Sequence, residues 1–282
     1  MGRDRSVHVT GASGQVGLEV ARLLPGARLH SREDLDVTDA AGVHSALDRA
    51  DVVIHLAAFT DVDECEKDPA RAFAVNAQGA GHVAEAAAAG GARVVYVSTD
   101  YVFDGTADGE YAEDHPTGPL NAYGRSKLEG EQIVMAHGDD NLVVRTSWVY
   151  GRGRNFVRTI LSAARAGKEL SVVADQIGRP TWARDLARAL VHLVEAGASG
   201  SIHVAGDGPP CSWADLADAA LSAAGLDARV ARVDTAAYAR LAGRTLAPRP
   251  GNSTLSLEKA RANGVPLGEW RRSVDAYVRE AS

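Results

Sequence analysis

The 282-residue chain has only two cysteines, Cys65 and Cys211, and their separation fits no metal-ligand spacing. One disulfide at most is no framework for a chain of this length, so a disulfide scaffold is excluded and a reducing cytoplasm is the expected setting. No run approaches the roughly 18 apolar residues of a membrane helix. Met1 to Arg5 lead directly into a short apolar strand, without the apolar stretch of about 7 to 15 residues that a signal peptide requires. Surplus positive charge is also missing: the net charge of -7 gives no reason to expect nucleic acid or another polyanion as partner. No repeat of about 20 to 50 residues and no low-complexity linker divides the chain. What is present, 45% hydrophobic and 24% charged residues, is ordinary for a globular protein. The length suits one large α/β domain, alone or with a smaller lobe.

Apolar runs alternate with helical stretches. Ser6–Thr10, Ala27–His30, Val52–Leu56, Arg93–Val97 and Asn141–Arg145 read as strands, and several are apolar on both faces, as in a parallel sheet covered by helices. Between them the Ala-rich stretch from Ala70 to Gly90 predicts one helix ended by Gly90-Gly91. Alternating strands and helices imply right-handed βαβ units and a Rossmann-like, doubly wound parallel sheet over residues 1–150. After Gly151 the texture changes to Arg-rich segments, a turn at Gly178-Arg179-Pro180, a helix at Ala183–Ala196 and a Gly/Pro loop at 206–210. Residues 151–282 are therefore expected to form most of a smaller, substrate-binding C-terminal lobe, with some elements returning to the main domain.

The first strand runs into Gly11-Ala12-Ser13-Gly14-Gln15-Val16-Gly17 and then an apolar helix. A helix starting directly after a strand offers free N–H groups and a positive dipole end to an anion, and glycines let the anion approach the backbone. The spacing is GxxGxxG, so its placement in the first turn is what points to a dinucleotide. About 20 residues later, where NAD-binding folds often carry an acid, stand Ser31 and Arg32. A guanidinium suits a 2′-phosphate and favours NADPH, while Glu33, Asp34 and Asp36 leave NADH open. Further on, Ser98-Thr99-Asp100 follows the fourth strand, at the carboxyl edge where open parallel sheets bind ligands. Tyr123 and Lys127 are four residues apart, on one face of a helix. Tyr123 is then a proton donor, Lys127 the charge that eases its ionisation, and Thr99 a hydroxyl that polarises a carbonyl. Thr99 as a helix cap and Lys127 as a surface charge are the structural alternatives.

The chain resembles the extended short-chain dehydrogenase/reductases and, among them, the dTDP-4-dehydrorhamnose reductase family. The residues that carry the resemblance are GASGQVG at 11–17, Asp61-Val62-Asp63, Asn76, STDYVFDG at 98–105, PLNAYGRSK at 119–127, RTSWVYG at 145–151, Asn155-Phe156, Arg179-Pro180-Thr181 and PRPGNS at 248–253. The resemblance implies NADPH-dependent reduction, with NADH open, of the 4-keto group of a dTDP-linked 6-deoxyhexose, with Thr99, Tyr123 and Lys127 catalytic. It also implies cofactor contacts at Gly11, Ser13, Gly14, Gln15, Val16 and Gly17, at Arg32, Asp36 and Val37, and at Ala57, Ala58 and Thr60. For the sugar nucleotide it implies Thr99, Asp100, Tyr101, Trp148, Asn155, Arg249 and Asn252, Trp148 as a wall of the sugar pocket.

Some relatives dimerise through a metal held by acids. Glu19 matches one of those acids, but Arg184 stands where another is expected, so no metal is expected and the chain is read as a monomer or homodimer. Nucleotide-sugar dehydratases resemble one another in an Asp-Glu pair after the threonine, whereas here Tyr101 follows Asp100. Two other readings stay open: an epimerase, and a non-catalytic NADP-binding subunit resembling the regulatory β subunit of methionine adenosyltransferase.

Overall fold

The computed structural model describes residues 5–281. Strand β1 (Val7–Thr10) ends at the glycine turn, followed by α1 (Gln15–Leu23), β2 (Arg28–His30), α2 (Ala40–Ala46) and β3 (Val52–His55). Helices α3 (Val62–Lys67) and α4 (Pro69–Phe73) start at Asp61 and Asp68, whose carboxylates accept backbone N–H groups left free at each first turn. Then come α5 (Gly79–Gly90), β4 (Arg93–Thr99), α6 (Ala122–Ala136), β5 (Leu142–Thr146), β6 (Val149–Tyr150), α7 (Phe156–Arg165) and β7 (Leu170–Val173). The rest is β8 (Ile177–Gly178), β9 (Thr181–Trp182), α8 (Ala183–Glu195), β10 (Gly200–His203), β11 (Cys211–Ser212), α9 (Trp213–Ala223), β12 (Val230–Val233), α10 (Thr235–Ala242), α11 (Glu258–Ala262) and α12 (Trp270–Ala281).

The main sheet is parallel throughout, in the order β10-β5-β4-β3-β1-β2. Strand order reverses between β1 and β3, and that is the crevice where such sheets take ligands. The buried runs of β1, β3 and β5 pack on α8 through Leu186, Leu190 and Leu193. On the opposite side Val53, Val94 and Tyr96 pack on α5 and α6 through Val83 and Val134.

One expectation changes in detail. The predicted helix over 70–90 is interrupted by a π-helical turn at Ala74–Gln78. Its cause is Asn76, whose carbonyl accepts the Tyr96 hydroxyl at 3.0 Å while its side chain clamps the Phe59 backbone at 2.7 and 3.0 Å. The region after Gly151 is interleaved: α8 packs on α1, and β10 pairs with β5 as the sheet edge. The smaller lobe is the remainder, three short strand pairs (β6–β9, β7–β12, β8–β11) with α7, α9 and α12 around Val157, Leu216, Trp270 and Val274. Among the described residues no helix is long and apolar enough to cross a membrane.

Candidate active site

A cavity of about 610 Å³ opens at the crevice between the sheet and the smaller lobe. Its floor is the glycine turn: Gly11, Gly14, Gln15, Val16 and Gly17 all line it. Gly11 has φ +66°, and a Cβ there would lie 2.6 Å from the Ala57 nitrogen. Two crossing chains meet at that point with no room for a side chain. Helix α1 begins at Gly14 with no side-chain cap, so its first N–H groups face the cavity for an anion. Gly11→Ala is expected to cost about 1–3 kcal/mol of stability, read from urea unfolding, because the new methyl meets both strain and backbone.

On the second side, the segment after β3 brings Ala58 and Thr60 to the cavity. Ala57 contributes backbone instead, its N–H reaching the Thr10 hydroxyl at 3.4 Å. Next to it, β4 delivers Ser98, Thr99, Asp100 and Tyr101, and α6 delivers Tyr123 and Lys127. The start of α6 is held by Asn121, whose side chain accepts the Gly124 N–H at 2.8 Å and donates to the Pro248 carbonyl at 2.7 Å. Ser126 locks the next turn by donating to the Tyr123 carbonyl at 2.9 Å. Tyr123 and Lys127 thus share one face and one cavity.

The electrostatics of this wall come from burial. Lys127 is only 2% exposed, with Nζ 3.9 Å from the Tyr96 ring centre. Burial pushes its ammonium down to about 7, against the pull of the Glu131 carboxylate. His55 behind it is driven down to about 3, by burial first and then by Lys127. Burial raises the Tyr123 phenol above its ordinary value; the Thr99 hydroxyl offsets part of this and the Asp100 charge adds to it. Asp100 is itself lifted to about 7 by burial, against hydrogen bonds from Ser253 and Thr99. The Thr99 hydroxyl donates to Asp100 at 3.0 Å and accepts the Tyr101 N–H at 3.2 Å, so Thr99 is both a turn cap and a cavity-wall hydroxyl. Tyr101 meets Tyr123 edge-on at 6.1 Å and feels the Arg249 guanidinium. Arg249 lines the cavity while held by Asp63 at 2.9 Å.

The family model for the RmlD substrate binding domain matches residues 5–282. The chain belongs to that family. It is 42% identical over 298 residues to a dTDP-4-dehydrorhamnose reductase of Burkholderia thailandensis, covering 96% of this chain and 97% of the relative. It is 38% identical to the spore coat polysaccharide biosynthesis protein SpsK of Bacillus subtilis, covering 98% of both. A dTDP-4-dehydrorhamnose reductase of Bacillus anthracis solved in complex with NADP superposes with a TM-score of 0.93 at 36% identity, over 98% of this chain and 99% of that one.

Several family positions lie off the cavity. Asn155 is 9% exposed and caps α7: its amide donates to the Gly151 and Gly153 carbonyls and to the Tyr277 hydroxyl, while its oxygen accepts the Arg158 N–H. Its amide and one lone pair of its oxygen are thus engaged inside the structure, away from the cavity lining. Asn252 is engaged similarly: it donates to the Ala107 and Gly109 carbonyls at 2.8 and 2.7 Å and accepts the Thr254 N–H. The Val37 side chain is core packing against Gly79 and does not line the cavity. Asp36 is turned onto the Thr38 backbone and hydroxyl at 2.9 and 2.8 Å. Ser13 and Arg32 are exposed and do not line the cavity.

Arg184 bridges Glu19 at 3.5 Å and Glu280 at 2.5 and 2.6 Å, so a guanidinium of the chain stands between these two carboxylates. Among the described residues no group of three or more His, Cys, Asp or Glu could hold a metal ion. Cys65 and Cys211 are free and buried, and burial pushes both thiols up to about 12.

Sequence reasoning missed Ser98, Thr146, Ser147 and Trp213 as lining residues. Ser98 and Thr146 carry hydroxyls buried without partners, on the β4 and β5 ends that face the crevice. The strand-end position of both was the available signal; Trp213 offered none.

Proposed function

We propose that the protein reduces the 4-keto group of a dTDP-linked 4-keto-6-deoxyhexose with NADPH, Tyr123 giving the proton. The observation that carries this reading is the meeting of Thr99, Tyr123 and Lys127 in one cavity with the glycine turn. The uncapped α1 terminus, a Gly11 position that excludes a side chain, and partnerless hydroxyls at Ser98 and Thr146 all fit a dinucleotide lying along the crevice. Bound there, the nicotinamide supplies the hydride. As negative charge develops on the carbonyl oxygen, the Tyr123 phenol transfers its proton to it, and the Thr99 hydroxyl turns from Asp100 to donate to the same oxygen. Lys127, in its ammonium form, favours the phenolate left behind. Arg249, already beside Tyr101, offers its guanidinium to the diphosphate of the sugar nucleotide. Tyr101 takes the place of the second carboxylate that elimination of water would use, and this favours simple reduction over dehydration.

Arg32 decides the nicotinamide. Its acidic neighbours are engaged: Asp34 and Glu33 accept the Ser31 hydroxyl at 2.6 and 3.1 Å, and Asp36 is on Thr38. The guanidinium at the end of β2 is thus the group offered to a 2′-phosphate. Arg32→Ala is expected to weaken NADPH about tenfold and leave NADH nearly unchanged, measured as dissociation constants by fluorescence titration. Equal losses for both would remove Arg32 from that role. Two free, buried thiols suit a reducing cytoplasm.

The test is to offer NADPH with a panel of dTDP-4-keto-6-deoxyhexoses and identify products by NMR. The reading expects one NADPH oxidised per ketone converted to alcohol. Interconversion of stereoisomers without NADPH consumption would indicate an epimerase, and binding of NADPH without turnover of any ketone would indicate a regulatory subunit.

A further inference from the structure

Strands β1 and β2 carry a pair of imidazoles that the proposed chemistry does not use. His8 is in register with Arg28 and Thr10 with His30, so His8 and His30 meet diagonally on one face of the sheet. Their rings stack at 5.3 Å between centroids, and His30 Nε2 lies 3.2 Å from His8 Nδ1. A hydrogen bond between two ring nitrogens needs one proton and one lone pair, so the pair can hold one positive charge but not two. His8 is fully buried and its Nε2 completes no hydrogen bond, whereas His30 is partly exposed. The charge therefore belongs on His30, which then donates to His8.

His30 is tied to the glycine turn through its backbone: its carbonyl accepts the Ala12 N–H at 3.1 Å, and Arg32 follows two residues later. Few charged groups face the pair. Burial holds both imidazoles below their ordinary 6.5; Arg28 of β2 adds to this for both, and Asp34 of the turn after β2 opposes it for His30. Asp34 shares its charge with the Ser31 N–H and hydroxyl, which it accepts at 3.1 and 2.6 Å. From α2 the Ala46 carbonyl favours a proton on His8 without completing a hydrogen bond. Arg32 acts on Asp36 rather than on the pair. Both rings are therefore neutral near pH 7 in the free protein, and a dianion arriving at the end of β2 changes that balance.

We infer that His30 is a further specificity residue for the nicotinamide dinucleotide: it takes up a proton from solvent when a 2′-phosphate binds beside Arg32, and the His8 lone pair steadies that proton. This inference rests on the proposed function, through the NADPH that it uses. A phosphate monoester carries close to two negative charges above about pH 6 and draws an imidazolium toward it, whereas the hydroxyl of NADH at the same place carries none. The sign follows from linkage. His30 binds more protons in the NADPH complex than in the free protein, so lower pH favours that complex over the one with NADH. The gain ends where the phosphate itself takes up a proton, near about pH 6.

Fluorescence titration of NADPH and NADH at about pH 8 and about pH 6.5 tests this in the wild type, His30→Gln and His8→Gln. Between those pH values the ratio of the two dissociation constants is expected to move about threefold toward NADPH in the wild type and to stay constant in His30→Gln. His8→Gln, whose side-chain carbonyl can still accept from His30, is expected to keep the shift. Proton NMR of the His30 ring gives a second reading that needs no variant: its pKa should rise on adding NADPH and not on adding NADH. A wild-type ratio that does not move with pH, or one that moves equally in His30→Gln, overturns the inference while the reductase reading stands. So does a His30 ring whose titration NADPH leaves unmoved. Failure to reduce any dTDP-4-keto-6-deoxyhexose overturns the reductase reading instead, since both measurements of His30 use cofactor binding alone.

Discussion

Tyr123→Phe is expected to lower kcat by about 10²-fold or more while NADPH affinity stays nearly unchanged. The substitution removes one oxygen and keeps the ring. Tyr123 sits at the start of α6, where the Asn121 cap and the Ser126 hydroxyl fix the backbone and Tyr101 meets the ring edge-on. None of these contacts uses the phenol oxygen, so the fold and the cofactor cradle survive. What is lost is the proton given to the carbonyl oxygen. Residual turnover would come from positioning and from the Thr99 hydroxyl. The check is stopped-flow NADPH oxidation at saturating sugar nucleotide, and near-normal turnover would remove Tyr123 as the acid.

Lys127→Met should cost about as much as Tyr123→Phe and, unlike it, should reshape the pH profile. Burial lowers the Lys127 ammonium to about 7, so the charge is present below that pH and is lost as pH rises through it. The groups around it are His55, held neutral by its own depressed pKa, and Glu131, which supports the charge. In the free enzyme kcat/KM should therefore fall above about 7, and the Lys127→Met variant should lack that limb. The stability effect has a defined sign as well. The folded value lies below the ordinary 10.5, so between about 7 and 10.5 the unfolded chain binds a proton that the folded chain does not. The Lys127 contribution to stability therefore rises with pH across that window, and Lys127→Met should flatten it. Urea unfolding of the apo protein at a series of pH values checks this.

Much of the site was legible in local sequence because its parts are strand ends and first turns. The glycine turn after β1, the Ser98–Asp100 edge of β4 and the four-residue step from Tyr123 to Lys127 each follow from chain position and helical spacing. Less legible are residues whose side chains have two uses. Asn155 and Asn252 are polar residues inside family motifs, and backbone N–H and C=O groups a few residues away or across a loop engage their side chains. Composition and spacing carry no trace of that choice. The π turn at Ala74–Gln78 depends on Tyr96, about 20 residues on in the next strand, and so lies beyond any helix propensity. Trp213 is the extreme case: it reaches the cavity only because β11 pairs with β8, and residues so far apart pair through tertiary structure alone. That some elements after Gly151 return to the main domain was expected, but that β10 is the one at the sheet edge was not legible, since its four residues read as a generic short strand.

Arg184 gives a further contrast. The residue that departs from the expected acid supplies in its guanidinium the positive charge that two facing carboxylates, Glu19 and Glu280, require. It joins α1, α8 and α12, and so ties the last helix of the smaller lobe to the sheet-bearing domain.

On the proposed function, hydride reaches the carbonyl carbon of the sugar in the cavity that Thr99, Tyr123 and Lys127 share. The most direct measurement uses NADPH deuterated at the transferring position of the nicotinamide, with NMR of the sugar product. Deuterium is expected on carbon 4 of the sugar, as a single stereoisomer, with one label for each NADPH consumed. Product without the label, or label at any other carbon, would contradict it.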